Sequence, residues 1–167
     1  MRYLYIPLVS LLVGLSSCSF LARADETQIK KPEYVKSSAS LKKQVSNPQS
    51  EEINMKKTIE SYVRGADEQN IELVESVFHN NFQVFAHSEG SVRVLDKQTY
   101  LKLLETGKIG GSKRQIEYLD IHADDLVGTA RINLVGETVT FHDHLNLIKE
   151  NGSWKIVSNA TYVVPNQ

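Results

Sequence analysis

Three regimes of apolar spacing divide the chain. An apolar stretch runs from Leu4 to Leu15, residues 25–50 carry few apolar side chains in no period, and residues 51–167 show helical and strand spacing in turn. In the last regime, Ile59, Tyr62, Val63 and Ala66 fall at i, i+3, i+4 and i+7, one face of a helix. Ser50 suits its N-cap, and Glu51 and Glu52 lie in a first turn where the helix dipole favours acids. Asn70 suits the cap of a second helix with Leu73, Val74, Val77 and Phe78 as its apolar face. His79-Asn80-Asn81 breaks that pattern before a strand at 82–87, a turn at Ser88–Ser91 and a short strand over Val92–Leu95. Asp96 then caps a third helix whose apolar set is Tyr100, Leu101, Leu103 and Leu104, ended by Gly107 to Gly111.

Strand spacing takes over at 114–122, 125–135, 137–149 and 153–164. The turns between these strands lie at Asp124-Asp125, Gly136 and Asn151-Gly152, the last a strong hairpin signal. Helices first and an antiparallel meander afterwards predict an α+β domain, with the helices packed on one face of a curved sheet.

Charge and the N-terminal run change this picture in one respect. The 167 residues hold 19 Lys+Arg against 20 Asp+Glu, a net charge of −1. Residues 51–167 alone hold 12 basic and 17 acidic side chains, a balance of −5, while residues 25–50 carry +2. An acidic domain is a poor partner for nucleic acid, whose binding rests on many Lys/Arg–phosphate contacts. Residues 25–50 bury too little apolar surface to offset their ordering entropy and read as a disordered linker. The apolar run, preceded by Arg2 and holding Pro7, has the length of an export-signal core and is too short to span a bilayer.

Residues 1–24 are therefore expected to be an export signal. Leu15-Ser16-Ser17-Cys18 resembles a bacterial lipobox, which would make Cys18 a lipidated N-terminus and the protein a periplasmic lipoprotein. Ala22-Arg23-Ala24 offers instead a small-x-small cleavage site before Asp25, giving a soluble periplasmic or secreted form. Cys18 is the sole cysteine, so an intrachain disulfide and a cysteine zinc cluster are both excluded.

Candidate chemistry concentrates in the last two strands. Period two sets Val139, Phe141, Asp143, Leu145 and Leu147 on one face of 137–149, with Thr138, Thr140, His142, His144 and Asn146 on the other. Asp143 is a lone carboxylate on an apolar face; burial there raises its pKa unless donors satisfy it. It reads either as a ligand-facing group or as a buried anchor. In the last strand the same period places Trp154, Ile156, Ser158, Ala160 and Tyr162 together, small residues between aromatics that leave room for a ligand or pack as ordinary core. His142 and His144 share a side and are weak metal candidates, with His122 the nearest third ligand. His87 ends the first strand, where an imidazole can act as a general base. His79 reads as a turn residue, and Gly110-Gly111-Ser112-Lys113-Arg114 as a flexible loop without phosphate-loop spacing. No nucleophile motif is present.

The run IESYVRGADEQNIELVESVFHNNFQVF resembles the opening of SnoaL-like domains of the nuclear-transport-factor-two-like superfamily. The ending FHDHLNLIKENGSWKIVSNATY is similar to the close of the same domains, and the nearest subgroup is the one labelled putative lumazine-binding. The match spans roughly residues 53–164. It implies a cone of three helices against a strongly curved, mostly antiparallel sheet, with a pocket at the open end and dimerisation through the sheet. Tyr62 matches the helix-one tyrosine that donates a hydrogen bond in the ketosteroid isomerase pocket, and Asp143 the protonated acid of its penultimate strand. The isomerase's general-base carboxylate would fall near Ala86 or His87, where this sequence has no acid.

The leading expectation is an exported, lipid-anchored domain that binds a small apolar or aromatic molecule. Tyr62 and Asp143 would orient the ligand, and Phe141 and Tyr162 would line the pocket. No cofactor is expected, and membrane contact only through the N-terminal anchor. One rival is a lyase, isomerase or hydrolase with Asp143, His87 and Tyr62 as its acid/base set. The other is a homo-oligomeric interaction module, a homodimer through the sheet.

Overall fold

The computed structural model describes residues 47–88 and 90–167. The signal, the lipobox with Cys18 and nearly all of the linker lie outside the described residues.

Helix α1 (Pro48–Asp67) opens three residues earlier than the Glu51 start expected from its acids. Its cap is Asn47, whose side-chain oxygen accepts from the Gln49 amide at 3.1 Å, while Ser50 donates back to the Asn47 carbonyl at 2.7 Å. Proline fits the first turn because its missing N–H would find no helical partner there anyway. The buried face of α1 runs through Met55, Ile59, Tyr62, Val63 and Ala66. Helix α2 (Ile71–Val77) is capped as expected by Asn70, which accepts from the Leu73 amide at 3.0 Å.

Strand β1 (Phe78–Ser88) starts at Phe78, so His79-Asn80-Asn81 belongs to a strand and not to a break. The polar triplet sits where the ladder to the last strand is irregular, between the Phe78↔Ile156 and Gln83↔Ser158 pairs. That irregularity brings Phe78 and Phe82 into one stack, their ring centroids 3.6 Å apart. Strand β2 (Ser91–Asp96) returns antiparallel to β1 and leads into helix α3 (Lys97–Glu105), capped by Asp96 through the Thr99 amide at 2.8 Å.

Strands β3 (Gln115–Asp124), β4 (Val127–Val135), β5 (Val139–Glu150) and β6 (Ser153–Pro165) form the expected antiparallel meander. The six strands make one sheet in the order β2-β1-β6-β5-β4-β3, with β1 and β6 parallel. This last pairing sets the N-terminal hairpin beside the C-terminal strand, so residues from both ends of the domain share one face. The helices cover that face, α1 reaching β3 and β6 and α3 reaching β1 and β2. Ile59, Phe82, Ile132, Leu134, Leu145, Leu147 and Ile156 fill the space between. Gly128 admits α1 at close range, since a Cβ there would meet the Met55 sulfur.

At the N-terminus of α1, Glu51 does more than answer the helix dipole. It is buried, accepts from Lys149 Nζ at 2.7 Å and from Trp154 Nε1 at 2.9 Å, and so ties the first turn of α1 to β5 and β6. The Lys149 hydrogen bond, then the one from Trp154, holds its carboxyl below the ordinary value against the opposing cost of burial.

Candidate ligand-binding site

A cavity of about 320 Å³ lies between the helices and the inner face of the sheet. Its apolar wall is Val84, Ala86, Leu95, Ile109 and Phe141; its polar groups are Tyr62, Tyr100, Lys108, Arg114, Asp143, Asn159 and Thr161. The volume falls within the roughly 300–1,000 Å³ typical of small-molecule sites.

The alternation of β5 sends Asp143 inward as its period requires, and only 2% of it is exposed. Burial raises its pKa above the ordinary carboxylate value. Neighbouring Thr161 and Asn159 and the charges of Arg114 and His142 pull the other way. Asn159 Nδ2 donates to Asp143 Oδ2 at 2.8 Å. The Thr161 hydroxyl, across the ladder, stands beside the carboxyl but falls short of hydrogen-bond geometry. Asp143 Oδ1, Asn159 Oδ1 and Thr161 Oγ1 are all buried without a hydrogen-bond partner.

Tyr62, buried on α1, faces this group. Its pKa is raised well above the usual 10 by burial, with the neighbouring Tyr100 and Asp143 adding to the rise. Its ring packs on Phe78 at 5.4 Å and Tyr100 at 6.5 Å between centroids. Tyr62, Asp143 and Phe141 are therefore brought together.

Tyr162 is not part of this set. It is 46% exposed on the outer face, stacked on His142 at 4.5 Å. The cause is a bulge: Leu147 pairs with Ile156 and Asn146 with Ser158, which leaves Val157 as an extra residue in β6. One extra residue inverts a period-two pattern. Trp154 and Ile156 point inward before it; Asn159 and Thr161 take the inner face after it, and Ser158, Ala160 and Tyr162 the outer.

His87 also stands on the outer face. It lines a shallow groove with Phe85, Val92, His144, Ala160 and Tyr162, on the far side of the sheet from the cavity. An acid/base pair of Asp143 and His87 is thus separated by the sheet itself. His142 binds Asn133 Oδ1 through Nδ1 at 2.8 Å, and His144 lies in the outer groove. Among the described residues no three His, Cys, Asp or Glu side chains group as metal ligands.

Arg114 is the main residue that strand periodicity misses. The segment before it is pinned, not flexible: Gly111 N donates to Ala66 O at 3.0 Å. Gly110 has a φ of +73° and sits where a Cβ would strike that same carbonyl. Arg114 follows, donating from its backbone N to Asp67 Oδ2 at 2.9 Å and from Nε to Oδ1 at 2.7 Å. Its guanidinium carbon lies 5.5 Å from the Phe141 ring centre. Nη2 is buried and has no partner. The glycine pair was the available signal, because a tight strap against a helix end fixes whatever follows it. Asn159 and Thr161 had a fainter one, the consecutive apolar Ile156-Val157 that marks a change of phase.

A curved six-stranded sheet with three helices on one face and a cavity between them is the nuclear-transport-factor-two-like (NTF2-like) fold. Solved structures agree. An NTF2-like protein of unknown function from Shewanella baltica is 17% identical, with a TM-score of 0.65 over 72% of this chain and 99% of that one. A second, from Silicibacter pomeroyi, is 17% identical with a TM-score of 0.62 over 72% of this chain and 100% of that one. A ketosteroid isomerase-like protein from Erwinia carotovora is 12% identical with a TM-score of 0.57 over 68% and 96%. The chain belongs to the family described as "Putative lumazine-binding", whose profile matches residues 50–162. No curated protein matches it.

Proposed function

We propose that this protein is an exported, lipid-anchored domain that binds a small, largely apolar or aromatic molecule and catalyses no reaction on it. Three buried polar atoms without partners belong to Asp143, Asn159 and Thr161, residues that line one apolar-walled cavity. That observation carries the reading. Leaving a buried donor or acceptor unpaired costs about 1–3 kcal/mol each, and a ligand that supplies the missing hydrogen bonds recovers that cost. Membership of a family described as lumazine-binding supports the same reading.

Tyr62 and Asp143 orient the ligand, and Phe141 forms part of the wall. The lyase, isomerase or hydrolase reading is disfavoured because His87, its base, lies across the sheet. The N-terminal pattern supports export, with Cys18 as the acylated residue and the periplasmic side of a membrane as the location. Native mass spectrometry of protein purified from its own cells tests the binding. The wild type should carry a small-molecule adduct that Asp143→Ala loses, and an adduct retained unchanged by that variant removes Asp143 from the site. Mass spectrometry of the membrane fraction tests the anchor: an acyl mass on Cys18 is expected, and a chain beginning at Asp25 refutes it.

A second reading, homodimerisation through the sheet, draws on the outer face. Phe85, Val92, Val94 and Tyr162 stand together there, each at least 39% exposed. Light scattering should give twice the monomer mass, reduced by Val94→Glu. The two readings use opposite faces and are compatible.

A further inference from the structure

We propose that the cavity takes a carboxylic acid, with its carboxylate on Arg114 Nη2 and a polar group at its other end that donates to Asn159 Oδ1 and exchanges a hydrogen bond with Asp143 Oδ1. This rests on the small-molecule reading above and names the class of ligand.

Four buried polar atoms of the domain lack partners among the described residues, and all four belong to residues that line this one cavity. Three are oxygens and one is a guanidinium nitrogen. Arg114 is always cationic and offers donors only. Its Nε and backbone N are spent on Asp67, which fixes the plane of the group and leaves Nη2 over. A guanidinium edge that is rigid, buried and unpaired selects an oxygen acceptor, and a charged one most strongly.

The charge of the lining points the same way. Besides Asp143, the ionisable acid/base side chains on the wall are Arg114 and Lys108, both cationic, with the phenols of Tyr62 and Tyr100 held neutral by burial. Asp67 answers Arg114 from outside the cavity and does not line it. Burial raises the pKa of Asp143, which lessens the repulsion it offers an incoming anion.

The position of Arg114 sets the ligand's direction. A second hollow of about 390 Å³, lined by Ser112, Lys113, Glu137 and Thr138, shares Gly110, Arg114 and Phe141 with the first. Arg114 and Phe141 therefore stand where the two spaces meet. A ligand bound with its anionic end there places its apolar body against Val84, Leu95 and Ile109. One buried, unpaired guanidinium nitrogen and one lysine suit a singly charged carboxylate, whereas a phosphate dianion would bring more charge than this apolar wall can solvate.

The test uses the full chain and matched probes: para-hydroxybenzoate, indole acetate and hexanoate, each beside its primary amide, with phenyl phosphate as the other anion. Titration calorimetry near neutral pH should show at least one acid binding about tenfold or more tighter than its amide, a charge-assisted hydrogen bond being the difference. Arg114→Met should bring that ratio to about one. The wild-type ratio stands whether or not the variant folds, and circular dichroism reports the latter.

Amides that bind as well as their acids overturn the carboxylate inference while leaving small-molecule binding intact. Phenyl phosphate binding tighter than every acid also overturns it. If no probe binds but an adduct copurifies and depends on Asp143, the carboxylate inference again fails alone. No probe and no adduct together sink both.

Discussion

Among its described residues the domain buries two carboxylates and treats them in opposite ways. Glu51 accepts one hydrogen bond on each oxygen, from Lys149 and from Trp154, and is held ionised. Asp143 accepts one from Asn159, keeps a buried oxygen unpaired, and is pushed towards its neutral form. Three turns of α1, about 16 Å at 1.5 Å per residue, separate Glu51 from Tyr62, the helix residue that faces Asp143. Glu51 fastens α1 to the sheet, and its polar group is satisfied by the protein alone. Asp143 lies beside a cavity, and one of its oxygens finds no partner among the described residues. Burial is common to both, so it is the state of the hydrogen bonds that separates the fastening from the proposed binding group.

The largest effect should come from Glu51. Glu51→Ala strands a lysine and an indole N–H, and breaking a buried ion pair costs about 3–5 kcal/mol. Lys149 keeps 21% of its side chain in water, which places the expected loss near the lower bound, about 3 kcal/mol. Urea denaturation measures it, and a loss below about 1 kcal/mol would remove the contrast between the two acids. Asp143→Asn keeps the shape of the side chain and removes the tendency to ionise, so its cost should stay within about 1 kcal/mol.

Protonation should expose the same contrast with opposite signs. Glu51 has a folded pKa below its unfolded value, so its contribution is present above the unfolded pKa of about 4.3 and is lost as pH falls through the folded one. Asp143 has a folded pKa above its unfolded value of about 3.9. Between the two values the folded state holds the extra proton, so stability falls as pH rises through that window. Unfolding free energies measured across pH should show a shallower acid limb in Glu51→Gln and a weaker decline above it in Asp143→Asn. Parallel curves for wild type and Asp143→Asn would mean that the carboxyl titrates alike in the folded and unfolded states.

Most of this fold was legible in spacing. Three helices, the Asn70 and Asp96 caps, the meander and the inward face of β5 follow from apolar period and turn chemistry, because each is a local preference. The parallel pairing of β1 with β6 joins segments about seventy residues apart, and no local pattern encodes it. Asp143 could be found because a lone charge on an apolar face is visible in a row of letters. Strict alternation groups Ser158, Ala160 and Tyr162 with the inward Trp154 and Ile156, and it fails because one bulged residue, Val157, inverts the alternation for the rest of β6. Arg114 escaped because its place depends on a strap between its glycines and the end of α1, a tertiary contact. The exposed His87 shows the converse: residue type suggested a base, and the pairing of β1 decided which face it took.

The smallest predicted effects lie at two neighbours on β6 that the bulge sets on opposite faces. Thr161→Val replaces an unpartnered buried hydroxyl with a methyl of similar shape and keeps a β-branched side chain in the strand. Removing an unsatisfied buried group in this way should stabilise the ligand-free protein by about 1 kcal/mol. The same change takes a polar atom from the cavity and should weaken the tightest of the carboxylate probes severalfold. Tyr162→Ser, one residue on, strips an exposed ring from the outer face and should alter that affinity less than twofold. Thermal denaturation and calorimetry on the two variants give both readouts. A stabilised Thr161→Val that binds less tightly is the signature of a polar group kept for a ligand at the expense of the empty fold. Should Thr161→Val prove less stable than wild type, the hydroxyl has a partner within the protein, and the count of atoms awaiting a ligand falls by one.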